Sequence, residues 1–260
     1  MGFHGHDGLR YYTFETFPEE VAQGVFTRQG GVSPAPWASL NMGGMVGDTR
    51  VRVSENRERA LGALGRSAAS VFDAWLVHSA DVLIAESPRP AGEPPQRADA
   101  ILTDRQDITL LLRFADCVPI LFYEPQKHVV GMAHAGWLGT LRGIARATVQ
   151  RMVSHYGCEP GAIWAAIGPA IGADHYEVGP DVVSRFRDSL GAEADTILQS
   201  RDGRTYLDLW EANRRQLASA GVEHVEVSGI CTACQLDDWY SHRAENGRTG
   251  RFGAIIALRT

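Results

Sequence analysis

Two short apolar runs joined by four residues are the feature that most constrains how this chain can fold. Val118–Tyr123 and His128–Ala133 flank the connection Glu124–Lys127. Runs of β-forming residues with so short a link are typical of an antiparallel hairpin. The sequence therefore predicts a hairpin near the middle of the chain.

The register of this hairpin decides which side chains meet at its open end. If Tyr123 faces His128 across the turn, the same register places Cys117 opposite His134. Directly opposed residues have Cβ atoms about 4.5–5.5 Å apart, and zinc binds thiolate sulfur and imidazole nitrogen at about 2.0–2.3 Å. The two side chains can therefore share a metal ion, provided that no bulge changes the pairing.

The remaining patterns favour a layered, mixed α/β (α+β) fold with mixed β-sheets flanked by helices. Strand-like runs cluster in the middle of the chain instead of alternating strictly with helices, which argues against a doubly wound parallel sheet. Further strands are predicted at Val71–Val77, Ile108–Phe114, Ala162–Ile167, His224–Val227 and Ala254–Leu258. Helices are predicted at about Thr49–Leu64, Gly139–His155, Pro180–Leu190 and Asp208–Ala220.

The pattern predicts a flexible tail over residues 1–10 and one catalytic domain over residues 11–260. The loop-like stretch Ser87–Arg97 contains four prolines, which rule out regular structure there. Strands are predicted on both sides of it, so a surface loop within one domain is favoured over a linker. His4 and His6 fall in the predicted tail and are not site candidates.

Composition narrows the function classes. The 260 residues are 44% hydrophobic, with 25 Lys and Arg against 31 Asp and Glu, enough for a core but too acidic for a typical nucleic-acid binder. No run reaches the roughly 18 apolar residues of a membrane span, and the N-terminus lacks the apolar stretch of a signal peptide. Four cysteines are too few for a disulfide scaffold. We expect a cytoplasmic protein with free thiols.

His78 extends the predicted pair to three possible ligands. It follows the run Val71–Val77 and can approach Cys117 and His134 from a neighbouring strand. One Cys and two His leave a fourth tetrahedral position open, as in catalytic zinc sites. Spacing alone leaves the alternative open, because a buried Cys is usually a small hydrophobe.

The segment after His134 predicts an anion site. It contains Gly136 and Thr140 and leads into a helix, whose N-terminus would present free N–H groups and a positive dipole end to a phosphate. Alternatively, the glycines only permit a tight turn against Trp137.

The segments Phe114–Ile120 and His134–Trp137 resemble the core of a widespread bacterial family, called the YfiH or laccase-domain family and formerly multicopper polyphenol oxidase. The resemblance spans nearly the whole chain, and further motifs follow in the family's order. They are Thr27–Ser33, Ser39–Asn41, Gly47–Asp48, Asn56–Arg57, Val77–His78, Ala98–Ala100, Ile167–Pro169, Tyr176–Gly179, Cys231–Thr232, Tyr240–Arg243 and Thr249–Arg251.

This resemblance implies a YfiH/CNF1-like fold with its site at one edge of the sheets. It implies a purine nucleoside phosphorylase with adenosine deaminase activity, acting with phosphate on nucleosides such as adenosine, inosine, guanosine and methylthioadenosine. It also implies that His78, Cys117 and His134 bind Zn²⁺, with copper as the other candidate metal, and act in catalysis.

Several residues are candidates for supporting roles. Arg28, Arg57 and Arg243 are candidate anion donors, together with Gly136 and Thr140, although each arginine can equally form a structural ion pair. Asp116 can orient a ligand or a proton, or cap a turn.

The chain also departs from the family pattern. Leu138 stands where the family usually has Arg after His-Ala-Gly-Trp, and Leu76 and Ser79 stand near His78 where Gln and Gly are usual. Loss of that Arg removes a bidentate anion donor. Arg142, one helical turn further on, can partly replace it.

Two other functions fit the same residue types. A copper polyphenol oxidase of the laccase type would use a Cys and two His plus a weak axial ligand, but this chain has no His-x-His pair beyond His4 and His6. A Cys–His hydrolase would use Cys117 as nucleophile and a histidine as base, and the family resemblance implies peptidoglycan precursor editing as its role.

Cys231 and Cys234 form a lone Cys-x-x-Cys motif. Without a second pair, a structural zinc has little support, and we interpret Cys231 as a structural residue. The sequence leaves open whether the protein is a monomer or a homodimer.

Overall fold

A computed structural model describes residues 2–259 and contains two six-stranded sheets, a small three-stranded sheet and five α-helices among these residues. The strands are β1 (Gly2–His6), β2 (Leu9–Thr13), β3 (Val21–Phe26), β4 (Val71–Asp73), β5 (Val82–Ile84), β6 (Ala100–Thr103), β7 (Thr109–Phe114), β8 (Val118–Glu124), β9 (Val129–Ala135), β10 (Trp164–Ile167), β11 (Glu177–Val178), β12 (Leu198–Arg201), β13 (Arg204–Leu207), β14 (His224–Val227) and β15 (Phe252–Leu258). The helices are α1 (Arg50–Ala63), α2 (Trp137–Leu141), α3 (Ile144–Tyr156), α4 (Pro180–Leu190) and α5 (Leu209–Ser219).

The sheets are mixed, as the clustering of strands predicts. The first has the order β1-β2-β3-β15-β7-β4, the second β14-β10-β8-β9-β6-β5 and the small one β11-β13-β12. Most neighbours are antiparallel, whereas β4 with β7, β5 with β6 and β10 with β14 are parallel. The expected mixed α+β class is confirmed.

The two large sheets pack face to face. On β8, Leu121 and Tyr123 belong to the apolar layer between the sheets, while Ile120 and Phe122 face the layer beneath the helices. Both sides of the strand are therefore covered, and all seven residues of β8 are buried. This explains why β8 has the continuous apolar sequence typical of a strand buried on both faces.

Three of the predicted helices form close to the predicted bounds. Thr49 caps α1, and its Oγ1 accepts from the N–H of Arg52. Asp208 caps α5 by accepting from the N–H of Glu211 at 2.9 Å. No helix within residues 2–259 has the length and apolar character needed to cross a membrane.

The helix predicted over Gly139–His155 is two helices in the structure. The chain breaks between α2 and α3 at Gly143, where φ is +81°. A residue with a side chain rarely adopts this left-handed conformation, so the glycine permits the change of direction. The prediction of one continuous helix was therefore wrong.

Residues 2–10, which were predicted to form a flexible tail, are part of a β-hairpin in the structure. β1 pairs with β2 in an antiparallel hairpin. His4 bonds to the Oγ1 of Thr13 at 2.8 Å and stacks on Tyr11. The polar, histidine-rich composition hid a strand that lies at the sheet edge. Met1 lies outside the described residues.

The proline-rich stretch Ser87–Arg97 connects β5 to β6. These two strands are parallel neighbours in the same sheet. The stretch is therefore a connection within one sheet and not a linker between separate units.

Asn56 fixes the loop that precedes α1. It belongs to the motif Asn56–Arg57, and the family resemblance assigns no role to this asparagine. Its side chain is fully buried. Its Oδ1 accepts from the N–H of Val32 at 2.9 Å, and its Nδ2 donates to Ser33 Oγ at 2.9 Å, Ser39 O at 3.2 Å and Asn41 O at 2.9 Å. One amide thus satisfies four groups.

We expect Asn56→Ala to lower the free energy of unfolding by about 2–4 kcal/mol, because it leaves buried donors and acceptors unpaired. Glu58→Ala on the exposed side of the same helix serves as the matched control and should change it by less than about 0.5 kcal/mol. Urea unfolding measures both. Equal stability of the two variants would contradict this role of Asn56.

Candidate metal centre

The three predicted metal ligands meet at one end of the layer between the two large sheets. Cys117 directly precedes β8, His134 lies on β9 and His78 lies in the loop after β4. One ligand atom from each lies within 4.8 Å of those of the other two. His134 is buried, Cys117 is half-buried and His78 is exposed. The group therefore opens to solvent on the His78 side.

The pleat of β9 aims His134 into this layer. It lies on the same side of the strand as Val130 and Met132, which pack between the sheets. Its ring centroid is 5.4 Å from that of Phe114 and 5.1 Å from that of His78. The apolar layer thus ends at His134, and the polar centre begins there.

The hairpin forms, but its predicted register was wrong by two residues. Tyr123 pairs with Val130 instead of His128, and His134 pairs with Pro119. His128 lies in the turn with φ +50°. The turn therefore starts and ends one residue later than predicted.

A shift of two residues keeps every side chain on its predicted side, since the pleat repeats every two residues. Cys117 lies two positions before Pro119 and therefore stays on the side of His134, one step further along the hairpin.

The residue opposite Cys117 in this register is Gly136. A Cβ there would lie 2.8 Å from Cys117 Sγ and 2.9 Å from His78 Nδ1. Only glycine leaves these ligand atoms their space.

Asp99 holds both histidines in place. Its fully buried carboxylate places Oδ1 2.9 Å from Nδ1 of His134, and its Oδ2 accepts from the N–H groups of Val77 at 3.1 Å and Ser79 at 2.6 Å. These two amides flank His78, whose φ of +56° is uncommon for a residue with a side chain. The bond to Nδ1 leaves Nε2 of His134 free for a metal, an arrangement common in metal sites.

The charges of this group favour a protonated His134 in the metal-free protein. Burial opposes the charge, but attraction to Cys117 and hydrogen bonds with Asp99 and Cys117 raise the pKa of His134 to about 9. Burial and the charge on His134 lower the pKa of His78. A metal ion must therefore displace a proton from His134, so metal affinity rises with pH up to about pH 9.

Asp116 joins the loops beside Cys117. Its Oδ1 accepts from Thr232 Oγ1 and its Oδ2 from the N–H of Arg243, both at 2.7 Å. Its main-chain O accepts from the N–H of Ile171 at 3.0 Å. Both carboxylate oxygens are occupied in this way, which supports a positioning role over proton transfer.

Arg28 and Arg57, two predicted anion donors, are engaged in structural contacts. Arg28 donates to main-chain carbonyls and forms an ion pair with Glu245 at 3.1 Å. Arg57 donates twice to the carbonyl of Met42 and lies 3.7 Å from the carboxylate of Asp73. The structure does not bring either guanidinium into the ligand group.

Thr140 faces away from the ligand group. Its Oγ1 accepts from Asn213 Nδ2 at 3.0 Å and its carbonyl from Gln216 Nε2 at 2.6 Å, both on α5. Of the two turn residues predicted to bind an anion, only Gly136 contacts the ligands.

Arg142 supplies a positive charge near the position where the family pattern has Arg and this chain has Leu138. Its Nη1 donates to the carbonyl of His78 at 2.7 Å. The guanidinium therefore lies one group away from a ligand, and its partial replacement of the family Arg stays a prediction.

Asp99, Arg251 and Tyr176 are site residues that the sequence prediction lacks. Burial lowers the pKa of Arg251, while attraction to Cys117 and Asp116 opposes that shift, and its Nη1 donates to the carbonyls of Thr249 and Gly250. Burial, reinforced by Cys117, raises the pKa of Tyr176. All three lie in motifs that contributed to the family resemblance but were assigned no functional role. For Asp99, a single acid between two alanines directly before a strand was the available signal.

The family to which the chain belongs follows from sequence comparison. The profile of the family described as multi-copper polyphenol oxidoreductase laccase matches residues 22–259. The chain therefore belongs to this laccase-domain family, as its motifs predict.

Individual relatives carry a different name. A protein named purine nucleoside phosphorylase from Deinococcus radiodurans is 41% identical over 238 residues, covering 92% of this chain and 89% of that protein. Purine nucleoside phosphorylase YlmD from Geobacillus stearothermophilus is 41% identical over 249 residues, covering 91% and 89%.

Solved structures confirm the expected fold. The crystal structure of YlmD from Geobacillus stearothermophilus matches with a TM-score of 0.92 at 37% identity, covering 99% of both chains. That of the hypothetical protein YfiH from Bacillus licheniformis matches with a TM-score of 0.90 at 33% identity, also covering 99% of both.

Asp99→Asn tests the carboxylate between the histidines. An amide has one acceptor oxygen, so either His134 or the N–H groups beside His78 lose their partner. We expect the pKa of His134 to fall below about 9 and zinc affinity, compared at about pH 9 where proton competition is small, to fall about 10- to 100-fold. Histidine NMR titration and competition with a chelating dye measure these effects. Asp81→Asn, at an exposed position nearby, should change neither, and an unaltered His134 pKa in Asp99→Asn would refute the argument.

Gly136→Ala tests the space above the ligands. The added methyl group would lie within 3.0 Å of atoms of Cys117 and His78, so we expect zinc affinity to fall by about tenfold or more with the fold retained. Gly139→Ala, whose Cβ would meet its neighbours at 3.4 Å or more, is the matched control. Equal zinc affinity in the two variants would show that Gly136 is not required for space.

Proposed function

We propose that this chain is a zinc-dependent purine nucleoside phosphorylase with adenosine deaminase activity, acting on adenosine, inosine, guanosine and methylthioadenosine. One observation carries the proposal: within residues 2–259, the group of His78, Cys117 and His134 has three members and no fourth His, Cys, Asp or Glu ligand. Three protein ligands and an open position are typical of catalytic zinc sites, whereas structural sites have four. The names of the relatives support the class of reaction.

The residues present fit zinc. A thiolate and two imidazoles are donors that zinc prefers, Asp99 orients His134, and Gly136 leaves room above the ligand atoms. When bound, zinc would supply a Lewis acid at the open position, which polarises the purine or lowers the pKa of a water molecule.

We assign phosphate binding to Arg251 and Arg243, whose guanidinium groups also donate to the main-chain carbonyls of Thr249 and Gly250 for Arg251 and of Glu177 for Arg243. Arg251 interacts electrostatically with Cys117 and Asp116. The main-chain N–H of Arg243 is held by Asp116, and its guanidinium lies 5.1 Å from the ring centroid of Tyr176. These contacts place both arginines around the residue that precedes Cys117.

A cleft next to this region is large enough for a nucleoside. It has a volume of about 740 Å³ and is lined by Arg243, Arg204, Arg187 and the residues at the start of α4. Clefts of about 300–1,000 Å³ are typical of small-molecule sites. Arg243 connects the cleft to the ligand group through its bond to Asp116.

Phosphorolysis in this site would join a phosphate oxygen to the ribose C1′ as the C1′–N9 bond breaks. The bonding electron pair goes to the purine, which takes up a proton, and the products are the free base and ribose 1-phosphate. Arg251 would neutralise the phosphate. Tyr176, whose raised pKa keeps its hydroxyl protonated, could donate a hydrogen bond to the base. In deamination, water adds at the purine C6 and ammonia leaves.

Product analysis of the metal-quantified protein tests the proposal. With phosphate, we expect adenosine to give adenine and ribose 1-phosphate, and without phosphate to give inosine. Inosine, guanosine and methylthioadenosine should release their bases only when phosphate is present. Chromatography with mass spectrometry identifies the products, and the zinc-loaded protein yielding none of them would overturn the proposal.

Three variants complete this experiment. His134→Ala should abolish both reactions and guards against contaminating nucleosidases. Arg251→Met should raise the KM for phosphate about 10- to 100-fold, the effect of losing a charged hydrogen bond, and affect deamination less. Arg248→Met, at an exposed position three residues away, is its control and should leave both reactions unchanged.

A Cys–His hydrolase is a second candidate, favoured by one observation. In the metal-free protein, the ring of His134 lies between Cys117 and Asp99 and has a hydrogen bond with each, the order of nucleophile, base and orienting acid in Cys proteases. Protein that lacks stoichiometric zinc, cleaves an amide of peptidoglycan precursors and is inactivated by alkylation of Cys117 would favour this candidate. Polyphenol oxidation by copper-loaded protein would instead favour the oxidase.

A further inference from the structure

Asp174, His175, Cys231 and Cys234 form a second group of possible metal ligands. Each offers one ligand atom, and these four atoms lie within 4.8 Å of one another. The first two residues lie between β10 and β11, and the two cysteines follow β14. An isolated parallel bridge between Ala170 and Cys231 holds the two segments side by side.

One nitrogen of His175 is the focus of this group. Its Nδ1 lies 3.0 Å from Asp174 Oδ2, 3.5 Å from Cys234 Sγ and 3.8 Å from Cys231 Sγ. A neutral or protonated ring has at most one proton on this nitrogen. A single proton can therefore satisfy only one of three neighbours, whereas a cation among the four atoms would satisfy all of them.

The spacing fits tetrahedral zinc. Bonds of about 2.3 Å to sulfur and 2.0–2.2 Å to nitrogen and oxygen place ligand atoms about 3.4–3.8 Å apart at tetrahedral angles. Cys234 Sγ lies 3.5 Å from His175 Nδ1 and 3.8 Å from Asp174 Oδ2. These two separations need little adjustment to receive the ion, whereas the 3.0 Å between His175 Nδ1 and Asp174 Oδ2 must open by about 0.4 Å.

Cys231 has a further property of a metal thiolate. It is buried, and the main-chain N–H of Gly172 donates to its Sγ at 3.2 Å. Amide donors of this kind stabilise the negative charge of a ligating sulfur and fix its direction. Cys231 and Cys234 are both free thiols, so both sulfurs are available to a metal.

We propose that Asp174, His175, Cys231 and Cys234 bind a divalent, thiolate-preferring ion, Zn²⁺ in the cell. Four protein ligands complete its coordination, so this is a structural site. The Cys-x-x-Cys motif thus finds its two missing ligands in a distant segment of the chain, which spacing along the sequence did not reveal.

The site would stabilise one wall of the catalytic centre. Tyr176 directly follows His175, and Thr232 directly follows Cys231 and donates to Asp116. Asp116 precedes Cys117. A metal that fastens the two segments would therefore fix the side chains beside the catalytic thiolate without contacting the substrate.

Cobalt titration of reduced, metal-free protein tests this site separately from the catalytic one. In the background Cys117→Ser, the catalytic centre has no thiolate, so sulfur-to-cobalt charge-transfer absorption reports on the second group. We expect this absorption to saturate at one equivalent of Co²⁺ and to disappear when Zn²⁺ is added. Adding Cys234→Ser, at an exposed position, should remove most of it and lower zinc affinity by at least about a hundredfold. Adding Cys158→Ala, a thiol outside both groups, should not.

Two further measurements do not depend on the Cys117 variant. Zinc per chain should fall by one equivalent from the unmodified protein to Cys234→Ser, and added zinc should raise the Tm of the metal-free form of the former more than that of the latter. Absence of thiolate–cobalt absorption in Cys117→Ser, or equal zinc content of the unmodified protein and Cys234→Ser, would overturn the proposal. Neither result bears on nucleoside chemistry, so this site and the proposed function can fail independently.

Discussion

The candidate metal centre depends on one buried carboxylate. Asp99 has no solvent exposure, yet it remains ionised, because the hydrogen bond from His134 and the attraction of its charge outweigh the cost of burial and keep the pKa of Asp99 low. One oxygen orients the ring of His134, and the other fixes the backbone on both sides of His78. Two ligands from distant parts of the chain thus share one anchor. The left-handed backbone at His78 persists because this anchor holds its neighbours.

The sandwich of sheets explains where such an anchor can exist. Over most of their length, β8 and β9 are covered on both faces by apolar side chains, and polar groups there would be costly to bury. At the end of the layer, beyond Phe114, the packing gives way to His134 and Cys117. A buried carboxylate elsewhere is also surrounded by charged partners. Arg57, Arg89 and Arg113 form ion pairs with Asp73. These arginines therefore hold β4 and its neighbours together.

Sequence reasoning found what depends on periodicity and missed what depends on tertiary contact. The side on which Cys117 and His134 lie follows from the two-residue repeat of a strand, so it survived an error of two residues in register. The register itself is set by the turn, where His128 adopts a left-handed backbone conformation. The sequence pattern did not predict this conformation. The strand β1 was hidden by its polar composition. Asp99, Arg251 and the partners of Cys234 were beyond reach, because each acquires its role from segments far away along the chain.

Gly136 limits how this centre can be re-engineered. The space above the ligand atoms exists because residue 136 has no side chain. Any substitution of Gly136 would therefore displace Cys117 or His78. Leu138 is half-buried, and Arg142 is exposed and donates to the carbonyl of His78. Substitutions at these two positions can therefore alter the surroundings of the ligands, while the interior is open to change only through the ligands themselves.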